Sequence, residues 1–134
     1  MLKKTISYTD FNGEERTEEF MFNLSKAELM EQNLTTPGGM EEKLKKIVNT
    51  KDVPELTKYI KSVILDSYGI KSDDGTRFIK SKELSIAFSQ TGAYDVLFME
   101  LFSNDKACAN FVNAVMPQDL VNQANTSNNI TPIN

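Results

Sequence analysis

Three groups of side chains in this chain of 134 residues are of types that could carry chemistry. Asp66, Asp73 and Asp74 could hold a cation or act as paired carboxylates. Pro37-Gly38-Gly39 could open a loop that cradles phosphate. Cys108, Ser25 and Ser81 are potential nucleophiles. Each group reads better as structure. Hard cations need several oxygen ligands in a defined arrangement, and Asp73-Asp74-Gly75 matches no calcium-loop spacing, so a turn is expected there. The glycines lack the Lys and Ser/Thr of a phosphate-binding loop, so they read as a connection between helices. The chain has no histidine, which removes the commonest general base and metal ligand. Without one, Ser25 and Ser81 read as helix caps. Cys108, among Ala107, Ala109, Phe111 and Val112, reads as a small buried residue. Tyr8, Tyr59, Tyr68 and Tyr94 read as packing. No catalytic, cofactor-binding or metal-ligating residue is expected, and the chain does not read as an enzyme.

Composition narrows the partners. The chain is 25% charged and 40% hydrophobic, with a net charge of −4 and a pI of about 4.9. That suits one globular domain with a real core. Nucleic-acid binders concentrate positive charge to displace counterions, whereas Lys43, Lys45 and Lys46 sit among Glu41 and Glu42, so nucleic acid is not an expected partner. A single cysteine cannot form an internal disulfide. Met1-Leu2-Lys3-Lys4 leads into no apolar run, so no signal peptide is expected. The longest purely apolar stretch, Val96-Leu97-Phe98-Met99, is far short of the roughly 20 residues of a spanning helix. A soluble, cytoplasmic protein without a membrane partner is expected.

The elements that would position any site follow from periodicity. Leu2, Ile6, Tyr8, Phe20, Phe22 and Leu24 are even-numbered; Thr5, Ser7, Thr9, Thr17, Glu19 and Asn23 are odd. Side chains alternate across a strand, so the two apolar faces of a hairpin coincide only if paired numbers sum to an even value. A two-residue Asn12-Gly13 loop fails that test. A three-residue loop of Phe11, Asn12 and Gly13, closed by Asp10 and Glu14, passes it and puts Gly13 where a left-handed residue is needed.

Helices should follow. Ser25 and Glu28 form a capping box for residues 26–33. Thr35-Thr36-Pro37-Gly38-Gly39 should break that helix. Met40, Leu44, Ile47 and Val48 share a face of the next, with Glu41–Lys45 and Glu42–Lys46 pairs on the solvated side. Asp52 caps a helix with Pro54 in its first turn, and Gly69 is the expected stop. Phe78-Ile79 is either a short strand or a hydrophobic staple. Ser81 caps a helix through Gln90 with Leu84, Ala87 and Phe88 inward, interrupted by Thr91-Gly92. Asn104 or Asp105 caps a last helix carrying Ala109, Val112 and Val115, stopped by Pro117. Residues 118–134, rich in Asn, Gln and Thr, read as a flexible polar tail.

The expected fold is α+β and mostly helical, an N-terminal β-hairpin packed on a bundle of about five helices. One globular domain is expected over residues 1–117, with the hairpin at 3–23 and the helical body at 25–117. The helix over 93–102 carries charge only at Asp95 and Glu100. A helix apolar almost all round is either the centre of a domain or an interface. Its candidate interface residues are Tyr94, Val96, Leu97, Phe98, Met99, Leu101 and Phe102.

Whole segments also carry a resemblance. Residues 5–22 with the Asn12-Gly13 turn, Phe22-Asn23-Leu24-Ser25-Lys26-Ala27-Glu28-Leu29, residues 38–47, Phe78-Ile79-Lys80-Ser81-Lys82-Glu83-Leu84 with Ala87-Phe88-Ser89-Gln90, and residues 94–101 together resemble the tail assembly chaperones of long-tailed bacteriophages. The similarity spans about residues 3–117. It implies a non-catalytic protein of the host cytoplasm, absent from the mature virion. Such a protein binds the tape measure protein, keeps it soluble, helps recruit tail-tube subunits, and self-associates. It also implies that a frameshifted longer form could exist, with residues 118–134 ending the short one. The alternative is a structural tail component retained in the virion, its hairpin edge adding to a neighbour's sheet. The family pattern carries no residue-level binding site onto this chain.

Overall fold

Alternation of apolar and polar residues builds the first element pair. In the computed structural model, which describes residues 1–32 and 39–118 apart from the side chains of Met40 and Glu41, β1 (Leu2–Thr9) pairs antiparallel with β2 (Glu15–Phe22). The register runs from Leu2 opposite Phe22 to Thr9 opposite Glu15, the even sum that the parity argument demands. Asp10 N–H donates to the Glu14 carbonyl at 2.8 Å and Gly13 N–H to the Asp10 carbonyl at 3.0 Å. Gly13 takes φ +82°, a conformation that a β-carbon disfavours.

The even face is apolar only near the body. Ile6 faces Glu18 and Tyr8 faces Arg16 across the ladder. Arg16 Nε meets Asp10 at 2.7 Å, and the Tyr8 hydroxyl donates to Glu18. The outer half of the hairpin is thus held by polar contacts, and its inner half by the core.

β2 then feeds the helical body. Asn23 N–H donates to the Ser67 carbonyl at 2.7 Å and Leu24 N–H to the Val115 carbonyl at 2.8 Å. These bonds tie the strand's exit to two helix ends distant in sequence. Ser25 caps α1 (Lys26–Glu31), with both halves of the capping box formed. α2 is Gly39–Thr50, so Gly39 begins a helix instead of breaking one. The breaker residues 35–38 and the tail beyond Gln118 lie outside the described residues. Asp52 caps α3 (Val53–Ser67), as its position before Pro54 suggests.

The helix stop expected at Gly69 is a strand. α3 ends at Ser67 and passes directly into β3 (Tyr68–Lys71). β3 pairs with β2 through Met21–Gly69 and Phe22–Tyr68, and with β4 (Phe78–Ile79) through Ile70–Ile79 and Lys71–Phe78. The hairpin is therefore half of a four-stranded antiparallel sheet, ordered β1-β2-β3-β4. A β-carbon on Gly69 would lie 2.6 Å from the Phe78 ring and 2.8 Å from the Ile79 carbonyl oxygen. Close strand approach, not helix termination, is why glycine stands there. Phe78-Ile79 is a strand and not a staple.

α4 (Lys82–Ser89), capped by Ser81, buries Phe88 but leaves Ala87 exposed. α5 (Gly92–Ser103) and α6 (Asp105–Val115), capped by Asn104, complete six helices among the described residues, against the expected five or so. The architecture is α+β, as expected. Phe22 sits at the centre, fully buried, with ring centroids 5.2 Å from Phe111 and 5.8 Å from Phe88. Tyr68 stacks on Phe88 at 4.3 Å.

A polar clasp closes the far side. Lys80 Nζ donates to both Glu28 carboxylate oxygens, at 2.6 and 2.7 Å, and to the Asn23 carbonyl at 2.6 Å. Burial alone would raise the Glu28 carboxyl. The Lys80 ammonium and the Ser25 N–H outweigh it and hold the group below its ordinary value of 4.5.

Two outcomes follow. Gly69→Val should destabilise the fold by about 1–3 kcal/mol through overpacking, measured by urea unfolding. Because the folded value of Glu28 is depressed, its contribution is present above pH 4.5 and fades as pH falls through the folded value. Lys80→Met should cost about 1–3 kcal/mol at neutral pH, and the gap to wild type should narrow in urea melts run progressively below pH 4.5.

Candidate functional site

The candidate residues all lie on α5, and packing sorts them by side. Thr91 caps the helix, accepting from Tyr94 N–H at 3.2 Å. The first turn lies against Tyr8 and Thr9 of β1, and Lys4 of β1 meets Glu100 at 3.2 Å near the other end. Ala93, Leu97 and Leu101, spaced by four, face the core and are 0%, 0% and 2% exposed. Leu97 and Leu101 are therefore core residues in this fold and offer nothing to a partner. Tyr94, Phe98 and Phe102 form a half-buried row along one flank. Their rings lie 5.9 and 6.1 Å apart in succession, and Tyr94 meets Phe88 edge-on at 6.0 Å. Val96 and Met99 point outward and are 42% and 49% exposed, beside exposed Asp95 and Glu100. Unlike a surface helix with one apolar stripe, α5 carries apolar side chains on its core, flank and outer sides.

The residues weighed for chemistry are placed differently. Asp74 organises the turn: its carboxylate accepts from Thr76 N–H at 3.0 Å and from the Ser72 and Thr76 hydroxyls at 2.8 Å, which lowers its pKa. Asp73 is exposed in the same turn. Burial raises the Asp66 carboxyl, while Lys80 opposes that effect. Among the described residues, no three or more acidic, Cys or His side chains are grouped to hold a metal ion. Cys108 is buried, and desolvation pushes its thiol up to about 11, far from a reactive thiolate. No helix among the described residues is long and apolar enough to cross a membrane.

Two surface features escaped sequence reasoning. One is a cavity of about 270 Å³ where β1, α5 and α6 meet, lined by Leu2, Leu101, Ala107, Asn110, Phe111 and Ala114, with the Lys4–Glu100 pair beside them. It is assembled from three distant segments, so no local pattern announces it. The other is Phe11, 90% exposed at the hairpin tip. Its signal was available: an aromatic residue in a three-residue loop has no neighbour to bury it.

A family model for phage tail assembly chaperones matches residues 1–133. This chain belongs to that family. No curated protein and no solved structure matched it. A tail assembly chaperone acts on another protein, so a surface that offers apolar side chains to a second chain is the feature to examine, and α5 offers one.

The sorting of α5 is open to measurement. Leu97→Ala should cost about 2–5 kcal/mol in urea unfolding. Val96→Ala and Met99→Ala should each stay within about 0.5 kcal/mol of wild type.

Proposed function

We propose that this protein is a non-catalytic chaperone that binds the tape measure protein of its phage, keeps it soluble and helps recruit tail-tube subunits during tail morphogenesis. It acts in the host cytoplasm, self-associates, and is absent from the finished virion. The family match supports the general role. The observation that carries the specific reading is the outer side of α5, where Val96 and Met99 stand exposed next to the half-buried row of Tyr94, Phe98 and Phe102.

The chemistry suits a helical client. Helix-in-groove recognition uses apolar anchors at helical spacing, and α5 presents such anchors on two adjoining sides. Methionine adapts its shape to varied partners, which suits a long client with many similar but unequal segments. Each contact is weak, and self-association would multiply it by raising effective concentration. Asp95 and Glu100 beside the apolar residues would favour client segments that carry lysine or arginine next to their apolar stripe.

A structural component retained in the virion is the competing reading, favoured by β1 being an edge strand of the sheet. Peptide mass spectrometry of purified virions separates the two, since a chaperone should be absent and a structural component present.

Co-expression tests the binding face. The wild-type chain should co-purify with the tape measure protein encoded by the same phage and keep it in the soluble fraction. The Val96→Asp, Met99→Asp double variant should fold as the wild type does, by circular dichroism, yet lose at least tenfold in recovered client. A tape measure protein that stays soluble alone and never co-purifies would end this reading.

A further inference from the structure

Phe11 is the most exposed of the large hydrophobic side chains among the described residues, and its loop is braced. One Asp10 carboxylate oxygen accepts from the N–H groups of Asn12 and Glu14, both at 2.9 Å. The other takes Arg16 Nε at 2.7 Å. The backbone bonds from Asp10 to Glu14 and from Gly13 to Asp10 close the same turn. Hydrogen bonds and a charge pair thus hold the tip in one shape while leaving its one aromatic side chain in water. A pre-ordered aromatic residue has little ordering entropy left to lose on binding, and aromatic residues are enriched at protein interfaces.

The same chain contains a place that fits it. The cavity between β1, α5 and α6 measures about 270 Å³ and is walled by Leu2, Leu101, Phe111, Ala107 and Ala114. A cavity of about 150 Å³ with apolar walls is enough for benzene, so a phenyl ring has room here. Charge agrees with size. Glu14 and Glu15 flank the tip, exposed and without an ion pair in the described structure. Exposed Lys106 lies one helical turn before Asn110 of the cavity, and Lys4 belongs to its lining.

Tip and cavity cannot meet within one molecule. Thr9 leads to the tip and Leu2 lines the cavity, so they sit at opposite ends of β1, about 23 Å apart at the rise of a strand. We propose that the hairpin tip of one copy inserts Phe11 into the β1–α5–α6 cavity of a second copy. The contact joins two different surfaces, so each copy keeps a free tip and a free cavity. Such a head-to-tail contact builds a ring if its rotation closes and a filament if it does not. This rests on the self-association in the function proposed above. It adds the joint, and it leaves the outer side of α5 open to the client.

The test is light scattering after size-exclusion chromatography of the full chain. Wild type should run as a multiple of its 15.1 kDa mass. Phe11→Ser, which blunts the tip, and Asn110→Trp, which fills the cavity from an exposed position, should each run as monomers. Mixed together, each supplies the half that the other lacks, so the pair should form a one-to-one heterodimer and nothing larger. The Phe11→Ser result stands alone if Asn110→Trp does not fold. A Phe11→Ser protein that remains a wild-type multimer would overturn this joint and leave self-association intact. A monomeric wild type at every concentration would overturn both. A monomeric wild type whose client binding alone falls with Phe11→Ser would assign the tip to the client and overturn the joint.

Discussion

The fold depends on one buried ring. Phe22 ends β2, and its side chain meets Phe88 of α4, Phe111 of α6 and Tyr68 of β3. The next two backbone N–H groups bond to the ends of α3 and α6. Sheet and helices thus converge on three consecutive residues, Phe22, Asn23 and Leu24. Everything beyond is positioned from there. The hairpin points outward because its base is fixed at Phe22, and α5 lies along β1 because α6 and α3 hold it against the strand.

That arrangement explains why α5 is apolar on more than one side. Its core side completes the cluster around Phe22 through Leu97 and Leu101. Its flank carries the run of rings that continues from Phe88 through Tyr94 to Phe102. Neither need accounts for Val96 and Met99, which no described element covers. A few exposed apolar side chains are ordinary on any protein. Two of them beside an aromatic row, in a family whose members act on other proteins, are the basis for placing the client there.

How much of this the sequence could tell depends on the range of each interaction. The hairpin register was legible because alternation is strict and loop length has parity; Gly13 then had only one place to go. The caps at Ser25, Asp52, Ser81 and Asn104 were legible because capping is local. β3 was not, because Tyr68-Gly69-Ile70-Lys71 follows a helix without a breaker and becomes a strand only through Met21, Phe22 and Ile79, which are remote in sequence. Gly69 was misread for the same reason: after a helix glycine usually signals a stop, and nothing local reveals the Phe78 ring beside it. On α5 the apolar composition was plain, but composition does not say which side is covered. Leu97 and Val96 are neighbours in sequence and opposite in fate. The cavity needed three segments to be brought together, so it was visible only in the fold.

The central claim, that the outer side of α5 receives the tape measure protein, has a direct reporter within the chain. Met99 stands on that side, Met116 is buried behind it, and Met1 and Met30 are exposed elsewhere. Methionine-methyl spectra of the labelled chain, free and in complex with the tape measure protein, would separate these positions. The account predicts that the Met99 methyl shifts or broadens while Met1 and Met30 keep their free resonances. A complex in which Met99 is unmoved and another exposed methionine shifts would place the client elsewhere and contradict it.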